Sequence, residues 1–111
     1  MSYAKRERRT TAQVRACAIL RRCGGCGKKR AFVCSGKFRV NANGRRLDIW
    51  LIYRCEKCGH TLNVPIYERV PPERLEPETY EGFLENDPKL CIKYAGNRGF
   101  LKSLGYETAE G

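Results

Sequence analysis

From Leu47 to Arg54 the chain reads Leu-Asp-Ile-Trp-Leu-Ile-Tyr-Arg, so nearly continuous in apolar residues that it predicts a strand covered on both faces and central in its sheet. Before it lies Phe38-Arg39-Val40-Asn41-Ala42. The two segments flank Asn43-Gly44, which predicts a hairpin turn with positive φ at both central positions. Thr61 to Glu68 predicts a third strand, and Pro65, which has no amide to donate, confines it to an edge. Val14 to Leu20 also reads as extended, leading into the first of two cysteine pairs.

After Val70-Pro71-Pro72 the period lengthens. Pro77 opens a helix with Tyr80, Phe83 and Leu84 on one face. Asp87-Pro88 is a cap followed by a first-turn proline, opening a second helix with Leu90, Cys91 and Tyr94 inward. A third runs from Asn97 to Leu104, with Phe100, Leu101 and Leu104 apolar and Gly105 as its stop. The expected organisation is a flexible basic arm over residues 1–13, a β domain over 14–70, and short helices over 71–111 packed on it within the same domain.

Cys23-Gly24-Gly25-Cys26-Gly27 and Cys55-Glu56-Lys57-Cys58-Gly59 repeat one pattern: two thiols two residues apart, then a glycine able to turn the backbone around them. Two such knuckles supply four thiolates, enough to close a tetrahedral Zn²⁺ shell with no position left for water or substrate. The 28 residues between Cys26 and Cys55 match a strand, a tight turn and a returning strand, which bring the knuckles together. The fold expected is therefore α+β: a small three-stranded antiparallel zinc ribbon with C-terminal short helices. The zinc is structural, held by Cys23, Cys26, Cys55 and Cys58. Iron in the same sulfur shell is the rival. A redox C-x-x-C reading fits worse, because it has no use for a second pair. Cys17, Cys34 and Cys91 read as core residues, and His60, the only histidine, as a neighbour of the second knuckle.

A chain of 111 residues has a modest core and needs a staple. Seven cysteines, an odd number, with no secretion signal or membrane span, favour metal over disulfides and a cytoplasmic location. Charge is the other asymmetry. Residues 1–50 carry 14 Lys and Arg against two acidic residues, whereas residues 51–111 carry eight against ten. Such a concentration points to a polyanion, RNA or a ribosome surface ahead of DNA. The candidate contacts are Lys28, Lys29 and Arg30 beside the first knuckle and Arg39, Arg45 and Arg46 around the Asn-Gly tip. Phe38 and Trp50 stack on bases if exposed and fill the core if not. No catalytic set assembles around one histidine, and the zinc-deaminase pattern is missing, since His60 is followed by Thr61-Leu62. The expectation is a non-catalytic protein that binds nucleic acid, with a protein-interaction adaptor as the alternative; no membrane or small-molecule substrate is implied.

The stretches Phe32 to Asn43 and Leu47 to Cys58, with Tyr80-Glu81-Gly82-Phe83-Leu84 and Lys93-Tyr94-Ala95 further on, resemble the bacterial family known as domain of unknown function 1062 over roughly residues 20–105. The resemblance implies a bacterial, zinc-ribbon-like domain with metal at the four knuckle cysteines. It implies no activity.

Overall fold

The computed structural model describes residues 17–109; the basic arm expected over residues 1–13 lies outside them. Among the described residues four strands come first: Ile19–Arg22 (β1), Lys29–Asn43 (β2), Arg46–Cys55 (β3) and Thr61–Val70 (β4). A 3-10 turn at Pro72–Arg74 leads to helices Pro77–Leu84 (α1), Pro88–Ala95 (α2) and Arg98–Ser103 (α3), and the last described element is Glu107–Thr108 (β5). The strands form one antiparallel sheet in the order β4-β3-β2-β1-β5.

This corrects the expected three-stranded zinc ribbon. The architecture is mostly sheet, a five-stranded antiparallel half-barrel with three short helices. Two features account for the difference. The first knuckle is itself a hairpin turn, returning β1 along β2 with Ile19 opposite Phe32 and Arg22 opposite Lys29. The C-terminal segment also contributes more than helices, because β5 pairs with β1 through Ile19–Thr108 and Leu20–Glu107. Two paired residues are too few to leave a periodic signal in a sequence.

β3 lies inside the sheet, yet only one of its faces is sealed. Leu47, Ile49, Leu51, Tyr53 and Cys55 are buried, while Asp48, Trp50 and Ile52 are half-buried and Arg54 is exposed. The expected cover on both faces fails because the helices pack on one side: α1 and α2 both lie against β2. Their centre is Phe83, edge-on to Phe38 at 4.8 Å and to Tyr67 at 6.0 Å, with Tyr94 at 6.1 Å. Phe38 is thus a core residue, and Trp50 belongs to the outer face. Leu84, expected on the buried face of its helix, is 52% exposed, and Leu104, beyond the end of α3, is 38% exposed.

The helix ends follow their local chemistry. The Asp87 side chain accepts from the Lys89 amide at 3.0 Å, and that of Asn97 from the Phe100 amide at 3.0 Å, each satisfying an orphan donor of a first turn. Asn86, left-handed at φ 58°, ends α1 and also reaches the sheet, its Oδ1 accepting from the Phe38 amide at 2.7 Å. That bond covers part of the β2 edge that four-residue β1 does not reach. The β2–β3 turn departs by one residue from the expected one. Asn43 pairs with Arg46, so the central residues are Gly44 and Arg45, and of these only Gly44 has positive φ, 65°. This is the glycine-first order of a type II′ turn.

Candidate metal centre

Both knuckles are hairpin turns, one joining β1 to β2 and the other β3 to β4, and β2 lies beside β3. The antiparallel register therefore places them at one end of the sheet, with the Gly44-Arg45 turn at the other. Each knuckle is built by the same two backbone hydrogen bonds. Cys23 N donates to Lys28 O at 2.8 Å and Gly27 N to Cys23 O at 2.7 Å; Cys55 N donates to His60 O at 2.8 Å and Gly59 N to Cys55 O at 3.0 Å. The turns close through Gly27 at φ 74° and Gly59 at φ 79°, a conformation that costs a side-chain-bearing residue about 1 kcal/mol or more. The glycine after each cysteine pair is thus explained by geometry.

The four sulfurs of Cys23, Cys26, Cys55 and Cys58 all lie within 4.8 Å of one another. Cys23 Sγ is 3.4 Å from Cys58 Sγ, and Cys26 Sγ is 3.9 Å from Cys55 Sγ. A tetrahedral centre with metal–sulfur bonds of about 2.3 Å has sulfur–sulfur edges of about 3.8 Å, so the cluster can hold one metal ion. The cluster is also tight: a Cβ on Gly25 would come within 3.1 Å of Cys58 Sγ. His60 is exposed beside the first knuckle and is not among the clustered donors.

The electrostatics of the cluster are those of a site that could hold a cation. Burial, the largest single influence, opposes ionisation of Cys55, but hydrogen bonds from the Cys58 and Lys57 amides, together with those from the Cys23 and Cys58 thiols, bring it down to about 6. At Cys58 the His60 amide pulls the same way, yet hydrogen bonds shared with Cys23, Cys26 and Cys55, together with burial, drive it up to about 12. Four thiols at this separation do not all ionise unless positive charge sits among them. Arg30 supplies some. A side-chain hydrogen bond with Cys26 is the largest cause raising its pKa, burial opposes it, and the charges of Cys26, Cys55 and Cys23 add to the rise. Its buried Nε has no hydrogen-bond partner.

The six basic residues expected to meet nucleic acid do not form one patch. At the metal end, Lys28 is exposed in the first knuckle, Lys29 forms an ion pair with Glu107 (Nζ to Oε1, 2.9 Å), and half-buried Arg30 faces the thiols. Arg45 and Arg46 are exposed at the opposite tip, where Arg46 Nη1 donates to Arg69 O at 3.3 Å. A shallow cleft beside them is lined by Pro71, Pro72 and Glu73. Arg39 lies between the two ends on the outer face, its guanidinium 5.9 Å from the centre of the Trp50 ring. Reading β3 as covered on both sides missed Lys37 and Arg54, which share that face. The signal was the period of two in Lys37, Arg39, Asn41 and in Trp50, Ile52, Arg54.

Burial pushes the pKa of the Tyr53 phenol well above its ordinary value, and the charges of Cys34, Cys17, Cys91 and Tyr106 add to the rise. Cys17 and Cys91 are buried and Cys34 is half-buried. No described helix is long and apolar enough to cross a membrane. No curated protein and no solved structure matches the chain. Residues 40–110, a span holding the second knuckle but not the first, match the family described as protein of unknown function (DUF1062), and the chain belongs to that family.

Proposed function

We propose that this chain is a non-catalytic protein of the bacterial cytoplasm that binds nucleic acid, RNA or a ribosome surface ahead of DNA, on a fold stapled by zinc. Zinc at Cys23, Cys26, Cys55 and Cys58 is structural in this reading, because four thiolates fill a tetrahedral shell and leave no open position for chemistry. The cytoplasm is a compartment in which thiolates stay reduced and available to metal.

The observation that carries the binding reading is the lack of neutralisation. Among the described residues the one ion pair is Lys29–Glu107, so Lys28, Lys37, Arg39, Arg45, Arg46 and Arg54 carry their charge without an acidic partner. Six phosphates contacted by these side chains would make log affinity for a single strand fall with log salt at a slope of about −4. Between 50 and 200 mM salt, binding should therefore weaken by about 300-fold. Titrating a labelled RNA across that range is the test. Affinity indifferent to salt, or partners from cells that all survive nuclease treatment, would overturn the reading.

A further inference from the structure

Three rows of side chains cross the outer face of the sheet in register. Arg39, Trp50 and Pro65 form one; Lys37, Ile52 and Asn63 the next; Val33, Arg54 and Thr61 the third. Directly opposed residues of neighbouring strands project from the same face, and the opposite face is the one the helices seal. At the middle of this open face, on the strand flanked by β2 and β4, sits the indole of Trp50. It is half-buried, which fixes the ring while leaving part of its surface to solvent. Arg39 holds its guanidinium over the ring, 5.9 Å from its centre, on the side it would share with an arriving base; Lys37 is exposed in the adjoining row and Arg54 in the row beyond. The one acid on this face of β2 and β3, Asp48, already uses Oδ1 to accept the Arg69 amide at 2.8 Å.

We infer that this face is a stacking platform for single-stranded nucleic acid: an unpaired base lies on Trp50 while Arg39, Lys37 and Arg54 take the flanking phosphates. The inference rests on the nucleic-acid reading above and adds where and in what form the ligand binds. Charge selects a polyanion. The position of Trp50 then selects the single strand, since an indole inside a sheet meets a base face only where that face is free of its neighbours, whereas the bases of a duplex are already stacked. RNA and DNA share this chemistry and differ in the 2′-hydroxyl.

Trp50 is the sole tryptophan, so its emission reports the site directly. The experiment titrates the full chain with fluorescently labelled oligouridylate, oligothymidylate and a duplex of equal length, following label anisotropy and Trp50 emission together. Stacking predicts that a single strand raises anisotropy and quenches Trp50, and that Trp50→Ala weakens single-strand binding by about 5- to 150-fold while duplex binding changes little. Trp50→Phe, which keeps a ring, recovers part of that loss. Tighter binding of oligouridylate assigns RNA as the ligand, and tighter binding of oligothymidylate assigns DNA. Single-strand binding with unchanged emission and no response to Trp50→Ala overturns the platform and leaves the function standing. No anisotropy change with any of the three at low salt overturns both.

Discussion

Cys58 is the sharpest place to test the metal centre, because it is the exposed member of the four. Replacing an exposed side chain that makes no special contact changes stability by about 0.5 kcal/mol or less. If Cys58 is instead a quarter of a zinc shell, the cost is set by the metal. Apparent binding energies of structural zinc are about 10 to 16 kcal/mol, so one ligand of four is worth about 3 kcal/mol, a large part of the stability of a domain this size. Cys58→Ala, purified with zinc and unfolded in urea, should show its midpoint lowered by about 1.5 M at a slope of about 2 kcal/mol/M. Against a competing chelator its affinity for zinc should fall by about 150-fold, the equivalent of about 3 kcal/mol. Cys91→Ala is the control: Cys91 is 1% exposed and outside the cluster, so this variant should lose about 1 to 2 kcal/mol of packing and keep the native zinc affinity. A chelator should erase the difference between Cys58→Ala and the native chain. Should Cys58→Ala keep both the native midpoint and the native zinc affinity, the four sulfurs are not a metal shell, and the energetic account of this end of the sheet is wrong.

Three further outcomes follow from particular contacts. Asn86→Ala removes the acceptor of the Phe38 amide and puts alanine at φ 58°, so thermal denaturation should show a loss of about 2 kcal/mol, and Asn86→Gly, which relieves only the backbone, a smaller one. Burial raises the Tyr53 pKa, so the unfolded chain ionises first on alkalinisation: the stability from this group is complete below about pH 10 and declines above it, by up to about 1.4 kcal/mol per pH unit. Denaturation at pH 9 and pH 11 should show a smaller decline for Tyr53→Phe. Arg45→Ala with Arg46→Ala should weaken RNA binding about tenfold or more and flatten its salt slope by about 1.4, with an unchanged circular dichroism spectrum, because both residues are exposed beside the turn.

Much of the local structure could be read from the chain alone. Two C-x-x-C-G repeats determine two knuckles, since the glycine must take positive φ for the turn to close around the sulfurs. Pro65 confines β4 to an edge, and Pro77, Asp87-Pro88 and Asn97 start the three helices, each through chemistry within a few residues. Assembly was decided elsewhere. Nothing local indicates that residues 107–108 pair with residues 19–20, and the alternation that separates Phe38 from Arg39 and groups Trp50 with Arg54 does not say which of the two faces the helices, with Phe83, will cover. An apolar run such as Leu47 to Tyr53 has the same composition whether one face is covered or two. What distinguishes the cases is where the helices find room to pack, which is a property of the whole half-barrel and leaves the outer face, with its arginines and its single indole, open to solvent.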